Sequence, residues 1–173
     1  MPEELYKDIL RFPDKMSAAN VLVRLIDGMA FRYKCSLAGL DDSYLEFRPV
    51  DGSRTLKELM EHMHKLTVWL SQTVIDSKFA EEPVKGLHEL KDQTLRRLKD
   101  IRDKLENMED SELEKMHVHN PWNDEEIPIW LLINGPLADI LTHTGQILSW
   151  RRIAGSPVPP ANTFRGKPID EKS

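Results

Sequence analysis

The chain is poor in the features that mark secreted, membrane or nucleic-acid-binding proteins. It has one cysteine, Cys35, in 173 residues, so an intrachain disulfide framework is excluded and a cytoplasmic location is expected. No apolar run approaches the roughly 20 residues of a membrane-spanning helix, and the N-terminus lacks the pattern of a signal peptide. The net charge is −5 and no basic stripe is visible, so we expect neither a nucleic-acid nor a membrane partner.

What is present is typical of a globular protein. Hydrophobic residues make up 40% of the chain and charged residues 31%, which argues against disorder. The length fits one domain, residues 1–173, that is large enough to bury its own core.

Two helices are predicted with clear start signals. Ser17 can cap a helix that runs to about residue 34. Thr55 and Glu58 form a capping box, in which each side chain accepts from the other residue's backbone N–H, and the helix that follows fades near residue 76. The apolar stripe of this second helix is Leu56, Leu59, Met60, Met63, Thr67, Leu70 and Val74.

Two further helices follow. The third covers roughly residues 83–108 and is amphipathic, as expected on the outside of a bundle. The fourth starts near Ile127 or Pro128 and runs to about residue 154, where Gly155 ends it. Pro136 lies inside this helix and lacks an N–H, so we expect a kink or a restart there.

The connections carry no convincing set of strands. The stretch "KMHVH" could be extended, and residues 156–173 form a proline-rich extended tail. We therefore predict an all-α fold, a four-helix bundle with long inter-helix loops.

The fourth helix carries polar groups on a flank that we expect to face inward. Asp139 and His143 lie one turn apart on that flank, and an inward carboxylate is costly unless it is paired or bound to a metal. The ordinary interpretation is a helical Asp–His contact, covered by solvent or an arginine. The alternative is two ligands of a metal site, which needs a third from another helix. The flank consists of Leu132, Pro136, Asp139, His143, Gln146 and Trp150.

The second helix offers two histidines, His62 and His64, in "EHMH". They flank the apolar stripe on opposite sides, and periodicity does not choose between them. A histidine in such a place is more often a buried hydrogen-bonded residue than a ligand. His88, His117 and His119 lie on polar segments and are expected at the surface.

Two blocks resemble the DinB-like (DinB/YfiT) family: "FRPVDGSRTLKELMEHMHKL" and "LADILTHTGQILSWRRIAGSPVP". The likeness extends from about the first helix to Pro159. It implies a four-helix bundle that holds a divalent metal with three histidines. The first falls on His62 and the last on His143, whereas the middle one falls on Asp139, a departure from the pattern. Two histidines and a carboxylate still suit Zn, Ni, Fe or Mn.

The resemblance implies a metal-dependent enzyme, a hydrolase or thiol-dependent transferase acting on a small molecule. The alternative is a non-catalytic, stress-related binding or interaction protein with a structural metal or none. Gln146 could orient a ligand or bound water, or could simply bond across the bundle. Arg151 and Arg152 could bind an anionic substrate, but basic groups are also favoured at a helix C-terminus, and we prefer this second interpretation. Members of the family often form homodimers, so a homodimer is expected.

Overall fold

The computed structural model describes residues 4–75, 86–120, 123, 125–158 and 160–168. This part of the chain is mainly helical. Its helices are α1 (Ala18–Ser36), α2 (Leu56–Ile75), α3 (Leu87–Glu106), the short α4 (Asp110–Leu113) and α5 (Trp130–Leu132), and α6 (Ala138–Ile153). A single 3-10 turn, Asp42–Tyr44, lies between α1 and α2.

The four long helices pack side by side. Helix α1 contacts α3 and α6, and α2 also contacts α3 and α6. The order around the bundle is therefore α1, α3, α2, α6, which makes α2 and α6 neighbours although more than sixty residues separate them along the chain. In the described residues, no helix combines the length and apolar character needed to cross a bilayer.

The predicted helix starts of α1 and α2 are confirmed by their hydrogen bonds. The Ser17 hydroxyl accepts from the Asn20 N–H at 3.2 Å. In the capping box, the Thr55 N–H donates to Glu58 Oε2 at 2.7 Å and the Glu58 N–H donates to Thr55 Oγ1 at 3.1 Å. These bonds satisfy donors that a helix N-terminus otherwise leaves without partners.

The core lies where the apolar stripes of the helices meet. Every member of the predicted α2 stripe is buried. Helix α3 buries a matching seam and places charged groups outside, including Arg102, whose Nε lies 3.3 Å from Asp27 Oδ1 on α1. Residues 83–85, the predicted start of this helix, lie outside the described residues.

The predicted all-α fold is confirmed in part: the chain is mainly helical, but one connection forms a strand pair that includes part of the stretch "KMHVH", which could be extended. Strand β1 (His117–Asn120) pairs antiparallel with β2 (Glu125–Pro128). Ile127 and Pro128, the predicted start of helix four, thus belong to a strand. The sequence did not predict this strand pair because the alternation of buried and exposed residues is too short to recognise. Val118 is fully buried, whereas His117 and His119 on either side are exposed.

A second small hairpin lies in the segment after residue 156. Strand β3 (Ala161–Asn162) pairs antiparallel with β4 (Lys167–Pro168). The carbonyl of Gly166 accepts from the Ile9 N–H at 2.8 Å. This end of the chain therefore folds back onto the N-terminal segment.

The predicted fourth helix is interrupted, as the position of Pro136 suggested. Between α5 and α6 the chain forms a wide π-type turn, Ile133–Leu137, in which Gly135 has non-helical angles of φ −91° and ψ −109°. Proline cannot donate to the regular ladder, so the helix restarts at Ala138. Downstream, Ile140 and Ile147 are fully buried and seat α6 in the bundle.

Arg151 joins the end of α6 to the end of α1. Its guanidinium donates to the carbonyls of Ser36 at 2.9 Å, Ala38 at 2.8 Å and Ser156 at 2.8 Å. The residue is only 4% exposed, and burial lowers the pKa of its guanidinium. Arg151 therefore acts beyond its own helix C-terminus, whereas Arg152 is exposed.

Candidate metal centre

The packing of α2 against α6 brings three predicted donor residues together. The Nε2 atom of His62 lies 3.1 Å from Asp139 Oδ2, and the Nε2 atom of His143 lies 3.3 Å from Asp139 Oδ1. The two imidazole rings meet edge to face with centroids 4.9 Å apart. Asp139 thus stands between the two histidines and offers one oxygen to each.

The three donors lie close enough to share an ion. One ligand atom from each residue can be chosen so that all three lie within 4.8 Å of one another. Around an ion with bonds of about 2.1 Å, neighbouring ligand atoms are roughly 3.0–3.4 Å apart. The contacts of 3.1 and 3.3 Å have this length but end on different oxygens of Asp139, so small shifts of these side chains would be needed for His62, Asp139 and His143 to hold a metal ion.

Gln146 contacts the ring of His143. Its Oε1 lies 2.8 Å from Nδ1 of the imidazole, and when this oxygen accepts, Nδ1 carries the proton. In a neutral ring Nε2 then has a lone pair, which faces Asp139 Oδ1 at 3.3 Å. Two acceptors at this distance repel unless a cation lies between them or the ring is doubly protonated. The arrangement therefore fits a bound divalent ion.

The site is open on one side. The side chain of His143 is 12% exposed, that of His62 31% and that of Asp139 41%. The expectation that the Asp139 flank faces inward is thus wrong for the carboxylate itself, and Gln146 is exposed as well. The error has a simple cause: the polar line runs along the edge of the buried face, where a small rotation of the helix decides exposure. Solvent or a small molecule can reach the donors from this side.

The structure distinguishes the two histidines of α2. His64 is buried, and its Nδ1 lies 3.0 Å from Thr94 Oγ1 on α3. It therefore belongs to the interface between α2 and α3, whereas His62 faces α6. Elsewhere, His117 contacts the carbonyl of Lys115. Within the described ranges, His62, Asp139 and His143 form the cluster of donors close enough to share an ion.

A cavity that the sequence did not reveal borders His62. It has a volume of about 570 Å³ and lies between the exposed side of α2 and the loop before that helix. The loop residues Arg48 and Arg54 precede the capping box in sequence, but no local pattern places them beside His62. The lining consists of Arg48, Gly52, Ser53, Arg54, Glu58, Glu61, His62 and Lys65.

Cys35 and Trp69 lie outside the donor cluster and contribute to packing. Cys35 is half-buried, and burial raises the pKa of its thiol, which agrees with a packing role and disfavours a reactive thiolate. Trp69 packs against the core and donates from Nε1 to the carbonyl of His119 at 3.1 Å. Trp69 therefore connects α2 to strand β1.

No family model matches the chain, and no curated protein sequence is significantly similar to it. The resemblance to the DinB-like family rests on the two sequence blocks.

Proposed function

We propose that this chain is a divalent-metal-dependent enzyme of the DinB-like type. His62, Asp139 and His143 are its ligands, and a small molecule is its substrate. The main observation behind this proposal is that the packing of α2 against α6 brings the three residues together, with one ligand atom of each within 4.8 Å of the others. The orientation of His143 by Gln146 supports the same proposal, because a metal-binding imidazole commonly donates its other N–H to such an acceptor.

The donor set indicates the range of ions and reactions. Two imidazole nitrogens and one carboxylate oxygen suit Zn, Ni, Fe or Mn. When bound, such an ion supplies Lewis acidity that can polarise a carbonyl or activate water or a thiol. Hydrolysis and thiol-dependent transfer are the reaction classes that use this chemistry. Asp139 would contribute the negative charge, and Gln146 would orient the His143 ring by accepting from Nδ1.

One observation favours a second candidate, a metal-free binding protein. Asp139 already has an imidazole beside each of its oxygens. If His143 is doubly protonated, it donates to Gln146 and to Asp139 and needs no ion. Nitrogen-15 chemical shifts of the His143 ring at neutral pH distinguish the candidates, since Nε2 carries a proton in the second and none in the first.

The direct test is a cobalt(II) titration of metal-free protein, followed by visible absorption. We expect one equivalent to bind and its spectrum to depend on both histidines. The variant His62→Gln removes one ligand and should weaken binding strongly. His88→Gln is the matched control because His88 is exposed on α3, outside the cluster. Equal binding by parent and His62→Gln would reject the site.

A second measurement separates an open centre from a closed structural one. Adding a small thiol to the cobalt protein should produce a thiolate-to-cobalt charge-transfer band if a coordination position is accessible. A structural ion with a complete ligand set would leave the spectrum unchanged. That result would favour the non-catalytic alternative.

A further inference from the structure

The cavity beside His62 is lined by three cations that form no ion pair with the described residues. Arg48 and Arg54 come from the loop before α2, and Lys65 comes from α2, three residues after His62. None of the three has a carboxylate within ion-pair distance in the described part of the chain. This contrasts with Arg102 on α3, which contacts Asp27, Asp103 and Glu106.

The carboxylates of the lining do not cancel this charge. The lining carries three cationic and two acidic side chains. One of the acids, Glu58, already accepts from the Thr55 N–H at 2.7 Å in the capping box. The other, Glu61, precedes His62 on α2. The net positive charge of the lining therefore favours an anionic group. Arg48 and Arg54 could each bind it through several N–H donors.

The anion would be held by side chains and not by the end of the helix. The first three backbone N–H groups of α2 are satisfied within the protein, by the carbonyls of Phe47 and Leu45 and by the hydroxyl of Thr55. No donor of this first turn remains free for a ligand. An anion in the cavity would therefore be held by the loop and by the lining side chains, so substitution of Arg48 and Arg54 tests the site directly.

The loop that carries the arginines is held in shape before a ligand arrives. Ser53 donates to the carbonyl of Val50 twice, from its N–H at 3.2 Å and from its hydroxyl at 2.8 Å. Gly52 has φ +82°, a value that side chains other than glycine rarely adopt. Less ordering is needed on binding, which favours affinity.

We propose that this cavity binds the anionic end of the substrate, a carboxylate or a phosphate group. Arg48 and Arg54 position it, and the reacting end of the molecule lies toward His62. That the bound molecule is a substrate rests on the proposed metal-dependent function. The anion site itself is inferred from the cavity alone. It narrows the substrate to small molecules that carry a carboxylate or phosphate at a distance from the reacting bond.

The test uses full-length protein freed of metal by chelation and dialysis, so that it does not depend on the metal centre. Inorganic phosphate and succinate are titrated separately at low ionic strength, and backbone amide shifts are followed by NMR. We expect saturable shifts confined to residues 48–54 and 58–65. Arg48→Gln and Arg54→Gln should each weaken binding about tenfold, the usual effect of losing a charge-assisted contact. Arg165→Gln removes an exposed arginine elsewhere and should bind like the parent.

The two anions distinguish the source of the negative charge. Binding of phosphate alone indicates a phosphate-bearing substrate, and binding of succinate alone indicates a carboxylate. The proposal is overturned if neither anion gives saturable shifts in this region, or if Arg165→Gln weakens binding as much as Arg54→Gln. If the protein binds anions but no cobalt, the proposed metal-dependent function is rejected and the anion-site proposal is retained. If it binds cobalt but no anion, the anion-site proposal is rejected and the metal site is retained.

Discussion

The substitution Asp139→Asn separates the metal hypothesis from the metal-free one. The amide keeps the shape of the side chain but removes the charge and turns one oxygen into a donor. In the parent, the two oxygens lie 3.1 and 3.3 Å from the two imidazole nitrogens. The change therefore affects both contacts, and only the charge and donor pattern differ.

Two magnitudes are expected, and they differ in scale. Loss of a residue that merely orients a ligand typically weakens metal binding about 10- to 100-fold, so loss of the anionic ligand should cost at least about 100-fold. The folded state without metal should change little, because the Asp139 side chain is 41% exposed and solvent screens its contacts. We expect less than about 1 kcal/mol of stability to be lost.

The assay is thermal melting and metal content of parent, Asp139→Asn and Asp139→His, each with and without chelator. An ion present at 100 times its Kd stabilises the parent by about 2.7 kcal/mol, so chelation should lower Tm by roughly 5–10 °C. The asparagine variant should show no chelator effect, and the histidine variant should keep one and favour zinc. The reasoning is refuted if the parent binds no ion and its Tm is unchanged by the chelator.

Three further predictions concern the fold and its assembly. Arg151→Met leaves the carbonyls that Arg151 now satisfies without their donor, and should cost about 3 kcal/mol, seen as a fall in Tm of roughly 10 °C; Arg152→Met should have little effect. Asp110 accepts from the N–H groups of Ala19 and Ala18, which lowers the pKa of its carboxyl below the usual range for aspartate. Its contribution is complete above the unfolded pKa and is lost as the pH falls through the folded pKa, so Asp110→Asn should lower Tm at neutral pH and lower it progressively less as the pH becomes acidic. Trp130 is 70% exposed beside the exposed Val21; if the expected homodimer uses this face, Trp130→Glu should give a monomer mass by light scattering where the parent gives a dimer.

The helices could be predicted because their signals are local. The caps at Ser17 and Thr55 act within one turn, and the apolar periodicity of α2 identifies a face that is buried along its whole length. Pro136 marks the break in the last helix by its own covalent structure. Each of these features can be recognised from neighbouring residues in the sequence alone.

The parts that could not be predicted depend on which elements meet. His62 and His64 both flank the same stripe, and only the placement of α6 on one side and α3 on the other distinguishes a donor from an interface residue. The pairing of β1 with β2 involves four residues in each strand, too few for a clear alternation. The cavity lined by Arg48 and Arg54 exists because a loop lies beside a helix, a relation that no local pattern encodes.

The wide turn at Ile133–Leu137 limits how far insertions and deletions can disturb the metal donors. Each residue advances an α-helix by about 100°, so in one continuous helix a gained or lost residue upstream would rotate the donors of α6 away from His62. Here Gly135 interrupts the ladder, and Ile140 and Ile147 set the rotation of α6 through their own burial. We therefore expect a change in length between β2 and the turn to leave the orientation of the α6 donors unchanged. Its cost would fall instead on Ile129 and Leu132, which are buried in that connection.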